Sequence, residues 1–173
     1  MKFKEICQVI NGRAYKLDEL LQDGKYPVLR VGNFFTNNEV LYSDLELAEE
    51  KYCVDGDLLF AWSASFGPKI FHGDKTIYHY HIWKLIPDKR KVDKEYLYFW
   101  LLNNTRKLKA SVHGSVMVHM TKADMENQDI DLPSLVVQKK ISYILSTLDK
   151  KIAVNTLINK NLDDLNLTRY ESR

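Results

Sequence analysis

The sequence predicts an α+β fold. A β-rich domain of mixed or antiparallel strands covers residues 1–133, and a long C-terminal coiled-coil helix covers 134–173. The first 133 residues break into short apolar segments separated by Gly, Pro, Asn and Asp, the punctuation of short strands. From Ser134 onward there is no Gly or Pro, and apolar residues recur at heptad spacing.

Residues 3–10 form a mixed apolar segment stopped by the turn pair Asn11-Gly12. Residues 17–21 have helical spacing. Residues 26–31 read as a strand entered through Pro27 and broken by Gly32-Asn33. A short strand is expected at 39–42 and a short helix at 45–52. Asp55-Gly56-Asp57 is a tight turn launching residues 58–62, an apolar run expected to be buried on both faces. After a loop at 63–68, strands at 69–72 and 76–86 flank a Gly73-Asp74 hairpin turn. In the second strand Ile77, His79, His81 and Trp83 would share one face. Residues 95–109 read as a helix with Leu97, Trp100, Leu101, Thr105 and Leu108 on its apolar stripe. Its Tyr98-Phe99-Trp100 run reads as core rather than as a stacking platform. Asp129-Ile130-Asp131-Leu132 alternates as a half-buried strand does, and Pro133 ends it.

Ser134 is a plausible N-cap for the final helix. Continued to residue 170 it would be roughly 55 Å long at 1.5 Å per residue, more than one small domain can cover. Its seam carries Ile141, Leu148, Asn155, Leu162 and Arg169 in one set and Ile144, Lys151, Ile158 and Leu165 in the other, with Leu145, Ile152 and Leu157 widening the stripe. A lone Asn in such a seam fixes register and partner number. The expected role is pairing with another helix.

Composition is that of an ordinary soluble protein, 45% apolar and 28% charged, with net charge +2. Residues 1–133 hold 18 Lys+Arg against 19 Asp+Glu, yet no acid falls between residues 96 and 123. Arg106, Lys107, Lys109, His113, His119 and Lys122 all lie there, a local basic surface suited to nucleic acid. No apolar run reaches the roughly 20 residues that span a bilayer. The N-terminus lacks a signal peptide's apolar core, and Cys7 and Cys53 stand alone, so reduced cytoplasmic cysteines are expected.

Enzyme motifs are missing. There is no GxxxxGK[ST], no GxGxxG, no GxSxG and no N-P-P-[YF]. His79 and His81 start a metal site without a clearly spaced third ligand. Asp55, Asp57 and Lys69 imitate a nuclease cluster only loosely. No cofactor and no resident metal are expected.

The joint between domain and helix resembles a known family. Gly114-Ser115 is followed by Met120-Thr121-Lys122-Ala123-Asp124-Met125, then Ile130-Asp131-Leu132-Pro133, then Leu135-Val136-Val137-Gln138-Lys139-Lys140-Ile141. This is similar to the Gly-Ser loop, short helix, I-x-L-P strand and L-x-x-Q-x-x-I helix start of the DNA specificity (S) subunits of Type I restriction–modification enzymes. Tyr26-Pro27-Val28-Leu29-Arg30-Val31-Gly32-Asn33 and Val54-Asp55-Gly56-Asp57-Leu58-Leu59-Phe60-Ala61 also match recurring family segments. The family often has Pro at Ser134 and Glu at Val137. A full S subunit carries two target-recognition domains and two spacer helices, whereas this sequence has one of each. It resembles a half subunit, whether a natural half, a truncated gene or an excised half.

The resemblance implies a non-catalytic subunit. Residues 1–133 would be the target-recognition domain reading one half of a bipartite double-stranded DNA site. Residues 134–173 would be a spacer helix that pairs with a second copy or another half. It would also dock modification subunits and, through them, the restriction subunit. Base-reading candidates are Asn33, Ser63, Ser65, His113, Ser115 and His119; phosphate candidates are Arg30, Lys69, Arg106, Lys109 and Lys122. Two other classes stay open: a protein-interaction scaffold without DNA readout, and a metal-dependent nuclease using Asp55 and Asp57.

Overall fold

A computed structural model describes residues 1–36, 39–63, 66–110 and 120–171, with side chains for all of these except 109, 110 and 163–171. Eight strands are described: β1 (Cys7–Asn11), β2 (Tyr26–Leu29), β3 (Leu41–Ser43), β4 (Tyr52–Cys53), β5 (Leu58–Ala61), β6 (Gly67–Ile70), β7 (Thr76–Tyr78) and β8 (Ile82–Pro87). They build an antiparallel sheet in the order β1-β8-β5-β6 and a mixed sheet in the order β3-β2-β7-β4, in which β2 and β7 run parallel. The helices are α1 (Val31–Phe35), α2 (Lys94–Ala110), α3 (Lys122–Glu126) and α4 (Leu135–Glu171). This is the α+β arrangement with a long terminal helix that the sequence predicts.

The apolar run of β5 explains the layering. Leu58 and Phe60 face a core shared with Trp83, Leu85, Leu97 and Leu101, beneath α2. Leu59 and Ala61 face the opposite core, with Phe34, Cys53, Tyr78 and Ile82, between the two sheets. A strand covered on both sides needs apolar residues at every position, and all four of its residues are buried. The tight turn before it holds Gly56 at φ +83°, a conformation that favours glycine. On α2, Leu97, Leu101 and Leu108 are buried, while Tyr98 and Trp100 pack against the same core. Cys7 and Cys53 are buried and unpaired, and burial pushes each thiol up to about 12.

Several sequence expectations need correction. Residues 76–86 are not one strand. Tyr80 and His81 form a turn, and the chain crosses there from the mixed sheet into the antiparallel one. The shared face of Ile77, His79, His81 and Trp83 is therefore lost, and Ile77 and Trp83 belong to separate cores. Residues 69–72 do not pair with 76–86; β6 pairs with β5. Val31 leaves the strand for the helical turn α1, started by Asn33 and Phe34 N–H groups donating to the Arg30 carbonyl. Residues 45–52 hold only a 3-10 turn at Glu49–Lys51 before β4. The 129–132 segment makes a single bridge, Asp129 to Lys2, rather than a strand. Its alternation survives: Ile130 is buried and Asp129 and Asp131 are exposed.

Helix α4 has two regimes. Near its start Gln138 and Ser142 are buried, and Ile141 and Leu145 meet Tyr96, Phe99 and Trp100 of α2 across an apolar groove. Further along, Ile144, Leu148, Ile152, Ile158 and Leu162 are 49–63% exposed. The first turns thus fold back onto the domain, and the seam from Leu148 to Leu162 is uncovered in the single chain.

Candidate nucleic-acid interface

The crossing between sheets gathers strand ends at one place. Leaving β1, the Arg13 N–H donates to the Tyr78 carbonyl at 3.1 Å, and the Tyr80 N–H donates to the Arg13 carbonyl at 3.0 Å. Leaving β2, Leu29 accepts from the His79 N–H at 2.9 Å. Leaving β5, the Trp62 N–H donates to the His81 carbonyl at 3.1 Å and the Trp62 indole N–H to the Tyr80 carbonyl at 2.9 Å. The Met120 N–H, just before α3, donates to the Trp62 carbonyl at 3.2 Å. Gly12 permits this closure, because a Cβ there would stand 2.3 Å from the His79 carbonyl oxygen.

Aromatic and imidazole rings cover the crossing. Trp62 stacks on Trp83 with centroids 5.5 Å apart and meets His81 edge-on at 5.1 Å. Tyr80 lies 3.9 Å from His81 and 4.3 Å from His79, and His79 lies 4.9 Å from His81. Tyr80 is 39% exposed. Burial, with His81 and Arg30 nearby, pulls the His79 imidazole down to about 4, so it is neutral at pH 7.

Cations flank the rings. The Arg30 Nε is buried and makes no hydrogen bond among the described residues. Arg13 is committed elsewhere, gripping Glu19 through two bonds of 2.8 and 2.7 Å, and Arg13 with the Lys16 backbone N–H holds the Glu19 carboxyl down at about 2. The last turns of α2 approach the same strand ends. A Cβ on Gly67, which pairs with Ala61 of β5, would lie 3.9 Å from Thr105 Oγ1, and the exposed Arg106 and Lys107 follow Thr105.

The structure spreads the expected site residues unevenly. Arg30 follows Leu29 and Ser63 follows Trp62 at the crossing, while Arg106 comes one residue after Thr105 and Lys122 two after Met120. Ser63 is buried, and Lys122 pairs with Glu126 at 3.5 Å. Asn33 and Lys69 meet around α1: the Asn33 amide donates to the Glu39 carbonyl and the Lys69 ammonium to the Phe34 carbonyl, each at 2.7 Å. Ser65, His113, Ser115 and His119, and the side chains of Lys109 and Leu165, lie outside the described residues. Trp62 and Tyr80 are absent from the sequence-derived set. The signal was present in the Tyr78-His79-Tyr80-His81 run, which an uninterrupted strand would hide.

Other chemistry finds less support. The nuclease-like residues engage separate partners: Asp57 binds Lys84 at 2.7 Å, Asp55 binds His72 at 2.9 Å, and Lys69 turns to Phe34. Among the described residues no group of three or more His, Cys, Asp or Glu side chains is placed to hold a metal ion. No helix among them is long and apolar enough to cross a membrane. What the crossing offers is ring faces, imidazole edges and neighbouring guanidinium groups, which suit stacking and hydrogen bonding to a ligand.

A 169-residue stretch is 30% identical to the Type I restriction enzyme MjaVIII specificity subunit of Methanocaldococcus jannaschii, covering 96% of this chain and 38% of that protein. The EcoBI specificity subunit of Escherichia coli is 22% identical over 145 residues, 83% of this chain and 30% of that one. The fold matches the HsdS subunit from Thermoanaerobacter tengcongensis with a TM-score of 0.70 at 18% identity, over 89% of this chain and 38% of the other. The chain thus spans about a third of the length of these relatives. The model of the Type I restriction modification DNA specificity domain matches residues 1–164, and the chain belongs to that family.

Proposed function

We propose that this chain acts in a specificity subunit of a Type I restriction–modification system, where it supplies one target-recognition domain and one spacer helix. Residues 1–133 form the target-recognition domain, which binds double-stranded DNA and reads one half of a bipartite site. Residues 134–173 form the spacer helix. Its uncovered seam (Ile144, Leu148, Ile152, Asn155, Ile158, Leu162) pairs with a second copy or another half, and modification subunits dock on the assembly and bring the restriction subunit. The chain itself neither methylates nor cleaves. Such a complex acts on DNA in the cytoplasm.

The family match over residues 1–164 carries this reading. The crossing supports it physically. Side chains that reach base edges supply discrimination, and nearby cations supply affinity and register. Arg30 beside His79 and the exposed Arg106 at the end of α2 are the phosphate contacts.

The test is DNA binding by the full chain as a function of salt. Phosphate contacts release counterions, so affinity must fall steeply as salt rises. Arg106→Ala should weaken binding to all sequences alike and lower the salt slope by about one. Binding to protein partners that salt leaves untouched, without any DNA footprint, would replace this reading with the scaffold one.

A further inference from the structure

We propose that the Tyr80–His81 turn is the base-contacting element of the DNA interface, with Tyr80 presenting its ring face and His81 its imidazole edge to the target duplex. This assignment rests on the DNA-reading function above and deepens it.

The backbone of the turn is already satisfied. Tyr80 donates to Arg13 and accepts from the Trp62 indole, His81 accepts from the Trp62 N–H, and the Ile82 N–H closes the turn on the His79 carbonyl at 2.9 Å. The Tyr80 and His81 side chains make none of these bonds, while the His79 Nδ1 accepts from the His81 N–H at 3.5 Å. Surface turns normally draw on Gly, Pro, Asn, Asp and Ser. Here the sequence places Tyr and His instead, with His79 before them and the Trp62–Trp83 stack behind. Rigid rings carry contact area at small entropic cost.

The chemistry favours bases over phosphate. The turn carries no cation of its own, and Arg13, the cation bonded to its backbone, is occupied by Glu19. In a duplex groove a ring face packs on a thymine methyl or a sugar, and an imidazole edge meets the donor and acceptor pattern of a base pair. Arg30, beside His79, is the cation that would register the turn against the phosphates. The turn is also pinned to the ends of β1, β2 and β5, so its position relative to both sheets is fixed, as base reading requires.

The test begins with selection of bound duplexes from a random-sequence library by the full wild-type chain. Affinity is then measured for a selected duplex and for a scrambled one of equal length, with thermal denaturation confirming the fold of each variant. His81→Ala and Tyr80→Ala should each weaken the selected duplex roughly tenfold or more and leave the scrambled duplex and the salt dependence unchanged. Replacing Tyr80 by p-benzoylphenylalanine, which keeps a ring at the position, should give light-induced cross-links to bases of the selected duplex. Equal weakening on both duplexes, or no weakening, overturns the proposal, as does a bound complex that yields no base cross-link. A wild-type chain that enriches no sequence defeats the DNA-reading function itself, and the turn's role falls with it.

Discussion

Gln138 of α4 accepts a hydrogen bond from the backbone N–H of Asp93, at 2.9 Å, where Asp93 starts α2. The same amide donates to the Lys91 and Pro133 carbonyls at 3.2 and 2.8 Å, and Gln138 is 1% exposed. Asp93 in turn caps α2, taking the Tyr96 N–H at 3.0 Å, and accepts from the Ser142 hydroxyl at 2.8 Å. One buried polar knot thus sets the angle at which the terminal helix leaves the domain. Distance between half-sites in an assembled complex would be transmitted through it.

Gln138→Ala removes the partner of the Asp93 N–H and of the Lys91 and Pro133 carbonyls at a part-buried joint. The expected loss is roughly 2–4 kcal/mol of stability in chemical denaturation, because unmade buried hydrogen bonds are costly. Lys140→Ala, on the exposed side of the same helix, should stay within about 0.5 kcal/mol. Equal effects for the two would remove the knot as the joint's anchor.

Gly12→Ala puts a methyl group against the His79 and Tyr78 carbonyls, at 2.3 and 2.4 Å. Backbone cannot yield as a flexible side chain does, so the crossing must shift. A loss of about 3 kcal/mol is expected, with amide resonance changes concentrated at residues 78–82. A variant with an unchanged melting temperature would mean that the close approach of Gly12 does not hold the turn.

Much of this architecture is legible in the sequence, for identifiable reasons. The β5 run is apolar at every position because cores lie on both its faces, and α2 shows its buried stripe because a helix repeats it over several turns. The Tyr80–His81 crossing was not legible. Alternation continues through it, and no Gly or Pro marks the turn, since Gly12 from another segment provides the room. Gln138 was visible only through family resemblance, because one polar residue at a helix start does not announce a buried partner 45 residues away. Ser63 shows the converse: a small polar residue beside a loop suggests a contact, yet its neighbours bury it.

The uncovered seam of α4 should drive association. Leu148→Glu places a charge among apolar residues that a partner helix would bury, and sedimentation should show dissociation of any paired species. Asn155→Leu removes the polar seam residue and should change oligomeric state or register while raising stability. An unchanged sedimentation profile for both variants would leave α4 without a pairing role.

Acid should weaken the fold through His79. Its imidazole titrates near 4 in the folded chain against 6.5 for a free one, with burial the main cause and His81 and Arg30 contributing. Between these values the unfolded chain binds a proton that the folded chain refuses, so stability falls as pH drops from about 6.5 toward 4. The carboxyls of Glu19 and Asp88, both held down at about 2, lose their contribution at lower pH. His79→Gln should flatten the profile between pH 6.5 and 4.5 and leave the more acidic limb. Melting curves recorded in half-unit pH steps check this.

The central claim is that this chain supplies sequence specificity to a DNA-modifying complex. The most direct measurement is to express it with its modification subunit in a methylation-free host and map modified bases across the genome. A new bipartite motif is predicted, an inverted repeat if two copies pair and an asymmetric one if the chain pairs with a different half. A complex shown to form, yet leaving the genome without any new methylated motif, would contradict the account.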